Sequence, residues 1–148
     1  MSEIKEWRGY EVTYPRIPKE LQSTDPDNMA FLSVIGDFGL FGVTKNCLYI
    51  RAAILEAIKH PDFLGKPSDE IFESVAEMCS EDFSTVKNGM VYTLEILWER
   101  CDEKRLIKKY FPFEQGKKMP HYTDTVAFMR FIYEMVMQRY LYLRGTRG

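Results

Sequence analysis

Apolar residues recur every three or four positions over most of the chain after Asn28, a spacing that aligns them on one face of an α-helix. The pattern predicts a first helix from Asn28, which Gly36, Gly39 and Gly42 break, and a second helix from Lys45 to Lys59. A one-sided apolar stripe needs another element to cover it. These stretches therefore predict helices that pack on one another in an all-α domain.

Two more helices are predicted on either side of a short turn at positions 80–82. The third follows Pro67, with Ser68 as its N-cap and acidic residues in its first turn, where the helix dipole favours negative charge. The fourth is capped by Asp82, and its apolar stripe continues to Cys101. Two amphipathic helices joined by a turn of three or four residues are typical of a helix-turn-helix.

The segments around these helices differ in character. A short basic helix at Glu103–Tyr110 closes the helix-turn-helix domain, which we place at residues 28–112. Residues 1–27 contain several prolines, which oppose helix formation, so we predict an extended leader. The leader could form a short strand or serve as an aromatic anchor, and the sequence does not decide between these alternatives. Residues 113–122 predict a linker.

The last segment, residues 123–148, predicts a long hydrophobic C-terminal helix and a short tail. Apolar residues lie on almost every side of this helix, and only Arg130, Glu134 and Gln138 form a narrow polar strip. A helix that is hydrophobic nearly all round has to be buried nearly all round. We therefore expect a homodimer through this helix; the alternative is that it threads through the core of its own domain. The candidate interface residues are Phe128, Phe131, Met135 and Tyr140.

Composition narrows the class of protein. The chain has 148 residues, of which 45% are hydrophobic and 14% aromatic, enough for a core without metal or disulfide support. Its formal net charge of −2 argues mildly against a strong electrostatic hold on phosphates, although a local basic face is compatible with it. Three widely spaced cysteines predict buried free thiols. Since there is no signal peptide and no apolar run of bilayer length, we expect a soluble, cytoplasmic protein without membrane contact.

The stretch IGDFGLFGVTKNCLYIRAAI at Ile35–Ile54 combines a glycine turn, a lysine and an aliphatic-rich helix. HPDFL follows at His60–Leu64, and STVKNGMVYTLEILWER at Ser84–Arg100 has a Ser-x-Val start and a Trp-x-Arg end. In the order and spacing of these motifs, residues 29–111 resemble the C-terminal DNA-binding domain of the master response regulator of sporulation in Firmicutes. The resemblance implies a compact all-α fold whose helix-turn-helix reads the major groove of double-stranded DNA.

The recognition helix that this resemblance implies spans about residues 82–101. Helical phasing turns Val86 and Met90 inward, which leaves the opposite side of the helix facing outward. A recognition helix contacts bases through its N-terminal residues; asparagine pairs with adenine, threonine touches a thymine methyl group, and tyrosine or lysine reaches phosphate. The candidate DNA-binding residues are Lys45, Ser84, Thr85, Lys87, Asn88 and Tyr92.

This outward face departs from the family. The family carries several arginines there, whereas this chain has Thr85, Asn88 and Val91, with Lys87 at the family's acidic position. An arginine bidentate to guanine supplies about 1–3 kcal/mol of discrimination, so its loss weakens base reading. The sequence predicts a DNA-binding transcriptional regulator; the alternative is a protein-interaction module that kept the fold and lost the DNA contacts.

Other chemistry is not indicated by the sequence. We expect no receiver domain ahead of this domain and, since the leader is too short to hold a phosphorylation site of that type, no aspartyl phosphorylation as the switch. The G-D-F-G motif at 36–39 lacks the strand context of a kinase or phosphate-binding loop. His60 and His121 have no nucleophile or metal-ligand partner by spacing. We expect no enzymatic activity, no metal and no cofactor.

Gly89 interrupts the fourth predicted helix. A glycine in a helix interior costs roughly 1 kcal/mol relative to alanine. It predicts either the close approach of another backbone or, as we favour, a small residue that packs on the third helix.

Overall fold

The structure, a computed structural model, describes residues 2–7, 10–15, 24–38 and 45–146, and the side chains of residues 24–38 and 46–143. The leader carries two antiparallel strands, β1 (Ser2–Trp7) and β2 (Tyr10–Pro15), in a register that pairs Ser2 with Pro15 and Trp7 with Tyr10. The backbone of the leader therefore contains a short strand pair, whereas the aromatic anchor stays a prediction because the leader's aromatic side chains lie outside the described part of the structure.

Six α-helices make up the rest of the described chain, which confirms the all-α class for its body. They are α1 (Pro26–Asp37), α2 (Lys45–Lys59), α3 (Ser68–Cys79), α4 (Phe83–Arg100), α5 (Glu103–Tyr110) and α6 (Thr125–Thr146), with a 3₁₀ turn at Phe63–Gly65. The predicted bounds of α2 and α5 are confirmed, and α4 lies within one residue of its predicted ends.

Helix α2 is central to the packing. It contacts α1, α3, α4 and α6, while α1 packs along α6 and α3 packs against α4. One hydrophobic cluster joins these helices, and its largest fully buried side chains include Phe31, Tyr49, Phe72 and Phe128. Because α6 contributes to the same cluster as α1–α4, the last helix belongs to the core of the single chain.

Helix α6 differs from its prediction in burial. It is 22 residues long, and its predicted polar strip of Arg130, Glu134 and Gln138 is exposed, but the apolar Leu141 and Tyr142 near its end are exposed as well. Contact with α1 and α2 covers the other side.

The expected dimer-interface residues lie on that covered side. Phe128 and Met135 are 0% exposed, Phe131 is 3% exposed, and Tyr140 is half-buried. Phe128 and Phe131 pack against Phe38 and Phe111, at centroid distances of 6.0 and 5.4 Å. Within the single chain, Phe128, Phe131 and Met135 fill the chain's own core, as in the alternative interpretation, and the homodimer stays a prediction.

Several helix boundaries differ from the prediction for local reasons. Helix α1 begins at Pro26 instead of Asn28, because proline is well tolerated in the first turn, where its missing N–H is not needed. Gly36 lies inside α1 and does not break it, while Gly39 and Gly42 lie outside the described residues. Ser68 is the first residue of α3, whose N-cap is Pro67 without a side-chain hydrogen bond.

Gly89 packs on α2, and not on α3 as we favoured from the sequence. A Cβ atom at Gly89 would overlap the Asn46 side chain and lie 3.2 Å from the ring of Tyr49. The absence of a side chain at this position lets α4 approach α2 closely.

No disulfide joins the three cysteines, all of which lie among the described residues, but their burial differs from the prediction. Cys47 is buried, whereas Cys79 and Cys101 are half-buried. Cys101 lies 3.4 Å from Met119 through their sulfur atoms, and burial raises the pKa of its thiol to about 11. None of the described helices combines the length and the apolar character that crossing a bilayer requires.

Candidate functional site

Helix α4 starts with a side-chain cap that matches the prediction for Asp82. The Thr85 hydroxyl donates to Asp82 Oδ1 at 2.6 Å, and the Ser84 hydroxyl and the Thr85 backbone N–H donate to Oδ2 at 3.0 and 3.2 Å. Hydrogen bonds from Thr85 and then Ser84 hold the pKa of Asp82 below its usual value, because they stabilise the ionised carboxylate. The helix therefore begins with a negative charge, and both hydroxyls are already engaged with it.

The predicted outward face of α4 is exposed. Asn88 and Tyr92 follow Thr85 at intervals of three and four residues, and Tyr92 is 60% exposed. Ser84 and Lys87 are exposed beside them. The opposite side of α4 is buried in the core through Val86, Met90, Leu94 and Leu97. The helical phasing worked out from the sequence is thus confirmed, and five of the six candidate residues lie together.

The sixth candidate, Lys45, is the first residue of α2. Its side chain lies outside the described part of the structure. Its role as a phosphate contact stays a prediction.

Lys87 does not point into a basic surface. Its Nζ lies 3.8 Å from Asp69 Oδ1 of helix α3 and 5.7 Å from the centre of the Phe83 ring. Both charged side chains are largely solvent-exposed, so this ion pair is weak, but it places a carboxylate of α3 beside the outward face of α4.

Helix α3 and the turn after it carry most of the negative charge near α4. Positions 68–82 contain six acidic residues and no basic one. All but the half-buried Glu81 are exposed. We call this surface the acidic face; its members are Asp69, Glu70, Glu73, Glu77, Glu81 and Asp82.

The acidic face is a feature that the sequence analysis missed. Asp69 and Glu70 were interpreted only as charges that suit the start of a helix, and Asp82 only as a cap. The sequence does show a run of acidic positions without a lysine or arginine. These charges become part of a candidate binding surface only because α3 lies beside α4, as the contact between Lys87 and Asp69 shows.

The predicted basic helix, α5, uses one of its cations to hold α1. Lys109 Nζ lies 2.6 Å from Asp37 Oδ2, and the Tyr110 hydroxyl donates to the same oxygen. Burial opposes the ionisation of Asp37, but the hydrogen bonds from Lys109 and Tyr110 outweigh it, so the pKa of Asp37 is lowered. Burial and the bond to Asp37 raise the pKa of Tyr110. Lys104, Arg105 and Lys108 remain exposed.

The histidines occupy structural positions. His121 packs on Trp98 and Tyr122 at centroid distances of 4.7 and 4.5 Å. Its contact with Trp98 packs the linker after α5 against α4. His60 Nε2 lies 3.5 Å from a carboxylate oxygen of Glu56 on α2. Within the described residues, no group of three or more His, Cys, Asp or Glu side chains is arranged to hold a metal ion.

No protein-family model matches the chain. The likeness of residues 29–111 to the sporulation regulator's DNA-binding domain therefore stays a prediction from the sequence.

Proposed function

We propose that this chain is a protein-interaction module that binds a basic segment of a protein partner on the acidic face. The observation that carries the proposal is the position of Lys87, which already lies 3.8 Å from Asp69. DNA binding draws its affinity from cations that neutralise phosphates. At the start of α4 an approaching phosphate meets Asp69 and the ionised Asp82, and this arrangement favours a cationic ligand.

The neighbouring side chains suit arginine in particular. Tyr92 is 60% exposed on the outward face of α4, and a guanidinium group stacks favourably on an aromatic ring. The carboxylates of α3 can accept the paired hydrogen bonds that arginine donates in a fixed geometry. A segment with two or more arginines would therefore bind more tightly than one with the same number of lysines.

A fluorescence-polarisation titration tests this proposal. The probe is a labelled peptide of alternating arginine and alanine, and its counterpart has lysine in place of arginine. Exposed ion pairs contribute roughly 0.2–1 kcal/mol each, so Asp69→Asn combined with Glu73→Gln should weaken arginine-peptide binding by about threefold to tenfold. Glu99→Gln, a single neutralisation at the far end of α4, should change it less than twofold, and Asp69→Asn alone, which also removes one charge, should weaken it more than Glu99→Gln does. Equal binding by both variants would refute the proposal.

A second candidate function, double-stranded DNA binding, is favoured by one observation. Thr85, Asn88 and Tyr92 are exposed together in the N-terminal part of a helix that follows a three-residue connection from α3. This is the arrangement in which a helix-turn-helix presents base-contacting side chains to the major groove. In this candidate the chain is a transcriptional regulator, and Asn88 pairs with adenine.

Selection from random duplex DNA, followed by titration across salt concentrations, tests the second candidate. Asn88→Ala should relax the preference at one base pair by about 1–3 kcal/mol, while Lys45→Ala should weaken binding to all sequences alike. If no sequence is enriched and no salt-dependent binding appears at low ionic strength, DNA is not the ligand.

One substitution separates the two candidates, because it has opposite effects on them. Asp69→Asn removes a negative charge beside Lys87. It should weaken binding of the arginine peptide if the partner is a basic protein, and it should strengthen binding of a duplex if the ligand is DNA. The same preparation of the variant serves both titrations, so a folding defect would weaken both and would be recognised.

A further inference from the structure

A cleft of about 400 Å³ lies where the end of α5 and the segment after it meet the last turns of α6. Lys109, Tyr110, Phe111 and Phe113 line it from one side, and Arg139 and Tyr142 line it from α6. The cleft does not include any residue of the acidic face or of the outward face of α4. It is therefore a separate surface from the one proposed above.

Two of its aromatic residues are unusually accessible. Phe113 is 97% exposed, and Tyr142 is 60% exposed. A single exposed apolar side chain is common on a protein surface, but here two exposed aromatic rings line one concave site. Large apolar side chains in a cleft of this kind are typical anchors for a partner's apolar residue.

Arg139 gives the cleft a positive charge. Its Nε is buried and has no hydrogen-bond partner among the described residues, and its guanidinium group lies 5.1 Å from the centre of the Tyr142 ring. Because a buried Nε is out of reach of a ligand, recognition falls to the terminal nitrogens of the guanidinium, and a carboxylate is the acceptor that fits them best.

The other charges that line the cleft already have partners. Lys109 is paired with Asp37 at 2.6 Å, and Glu114 lies 3.6 Å from Lys117, which is also 2.6 Å from Glu134. Among the described residues that line the cleft, Arg139 is thus the cation without a carboxylate partner, and an incoming ligand meets its positive charge.

From this combination we infer that the cleft binds an acidic peptide segment of a protein partner. A leucine or phenylalanine of the segment packs against Phe113 and Tyr142, and a neighbouring carboxylate pairs with Arg139. This surface has the opposite charge preference to the acidic face. The chain would therefore hold two different protein segments, a basic one and an acidic one, at the same time.

The probe for this inference is a labelled eight-residue peptide in which leucine and phenylalanine are flanked by aspartates, with an asparagine-flanked peptide as its counterpart. In fluorescence polarisation, Phe113→Ala should weaken binding of the aspartate peptide by roughly tenfold to a hundredfold, the loss expected for a phenyl ring that becomes buried in the complex. Since Phe113 is 97% exposed in the free chain, its removal should not disturb folding. Met78→Ala, at an apolar side chain that is 45% exposed and does not line the cleft, is the matched control and should bind as the natural chain does.

Arg139→Gln tests the charge recognition separately. It should abolish the preference for the aspartate peptide over the asparagine peptide, while a residual apolar contribution through Phe113 remains. Asp69→Asn should leave this titration unchanged, so failure of the acidic-face proposal and failure of this inference are distinguishable.

Three outcomes would overturn the inference. The first is no saturable binding of the aspartate peptide at low ionic strength. The second is equal binding by Phe113→Ala and Met78→Ala. The third is sedimentation that shows self-association of the natural chain and its loss in Phe113→Ala, because the occupant of the cleft would then be a second copy of the chain.

Discussion

Gly89 shows how a single position fixes the distance between two helices. It lies inside α4, where alanine would favour the helix by roughly 0.5–1 kcal/mol. A Cβ atom here would overlap Asn46 of α2 and crowd Tyr49, and overpacking of a helix contact typically costs about 1–3 kcal/mol. We therefore expect Gly89→Ala to lower the free energy of unfolding by about 1 kcal/mol, measured by urea denaturation.

Gly36 provides the matched control for that prediction. It lies within α1, and a Cβ atom placed on it would meet nothing within 4 Å. Gly36→Ala should therefore stabilise the chain by about 0.5–1 kcal/mol. In an Asn46→Ala background the cost of Gly89→Ala should shrink, because the overlapping side chain is gone. Stabilisation by both single substitutions would show that α2 and α4 do not approach as closely as the structure indicates.

At the scale of elements, periodicity predicted those helices whose ends carry strong local signals. The ends of α2 and α5 agreed with the structure because prolines follow them closely, at Pro61 and Pro112. The start of α1 was placed too late because Pro26 was interpreted as a helix breaker, although proline is compatible with a first turn. Burial was overestimated near the end of α6, at Leu141 and Tyr142, because an apolar composition does not show how much of a helix its neighbours cover.

The candidate site was predictable only as far as it lies on one helix. The exposure of Thr85, Asn88 and Tyr92 follows from the phase of α4, which its apolar stripe defines. The run of carboxylates at positions 68–82 is visible in the sequence, but its place beside the outward face of α4 requires α3 to pack against α4, and the aromatic cleft needs Phe113 beside Tyr142, almost 30 positions later. Such long-range proximities are properties of the packed chain, and no local pattern contains them.

The cap at the start of α4 leads to a prediction about that element. Asp82 accepts hydrogen bonds from Ser84 and Thr85, and its lowered pKa means that the ionised form stabilises the folded chain. Asp82→Ala should lower the midpoint of thermal unfolding at neutral pH by about 2–4 °C, followed by circular dichroism. Ser84→Ala removes only one of these bonds and should have a smaller effect. An equal effect of the two substitutions would contradict the role of Asp82 as the cap.

The tie between α1 and α5 predicts a pH dependence. The folded-state pKa of Asp37 is lowered, so its contribution to stability is present above the ordinary aspartate pKa of about 4 and is lost as the pH falls through the lower, folded-state value. Asp37→Asn should therefore reduce the free energy of unfolding at pH 7 and flatten its decline between about pH 5 and pH 3. Exposed Asp62, which makes no side-chain cap hydrogen bond, supplies the control Asp62→Asn. If the free energy of unfolding of both variants follows the pH profile of the natural chain, the interaction of Asp37 with α5 does not contribute to stability.

At the scale of the whole molecule, opposite charges lie on different surfaces. The acidic face brings six carboxylates to α3 and the turn before α4, while α5 exposes Lys104, Arg105 and Lys108. The formal net charge of −2 therefore conceals one surface rich in carboxylates and another rich in basic side chains. Electrostatic complementarity of this kind mainly raises association rates and selects partners, and both effects decline as salt is added. The two peptide titrations proposed above should accordingly weaken together as ionic strength rises, even though they involve ligands of opposite charge.

The position of Phe128 in the core leads to a prediction about the state of the whole chain. Phe128 is 0% exposed and lies 6.0 Å from Phe38 between ring centroids, so its removal leaves a cavity inside one chain. Phe128→Ala should lower the free energy of unfolding by about 3–5 kcal/mol. Because the cavity is within a single chain, the shift in the unfolding midpoint should be the same at micromolar and at hundred-micromolar protein. If Phe128 instead met a second subunit, unfolding would be coupled to dissociation, and the shift would grow on dilution. The control is the core substitution Val75→Ala on α3. If the unfolding midpoint of Phe128→Ala shifts on dilution and that of Val75→Ala does not, Phe128 lies in a dimer interface.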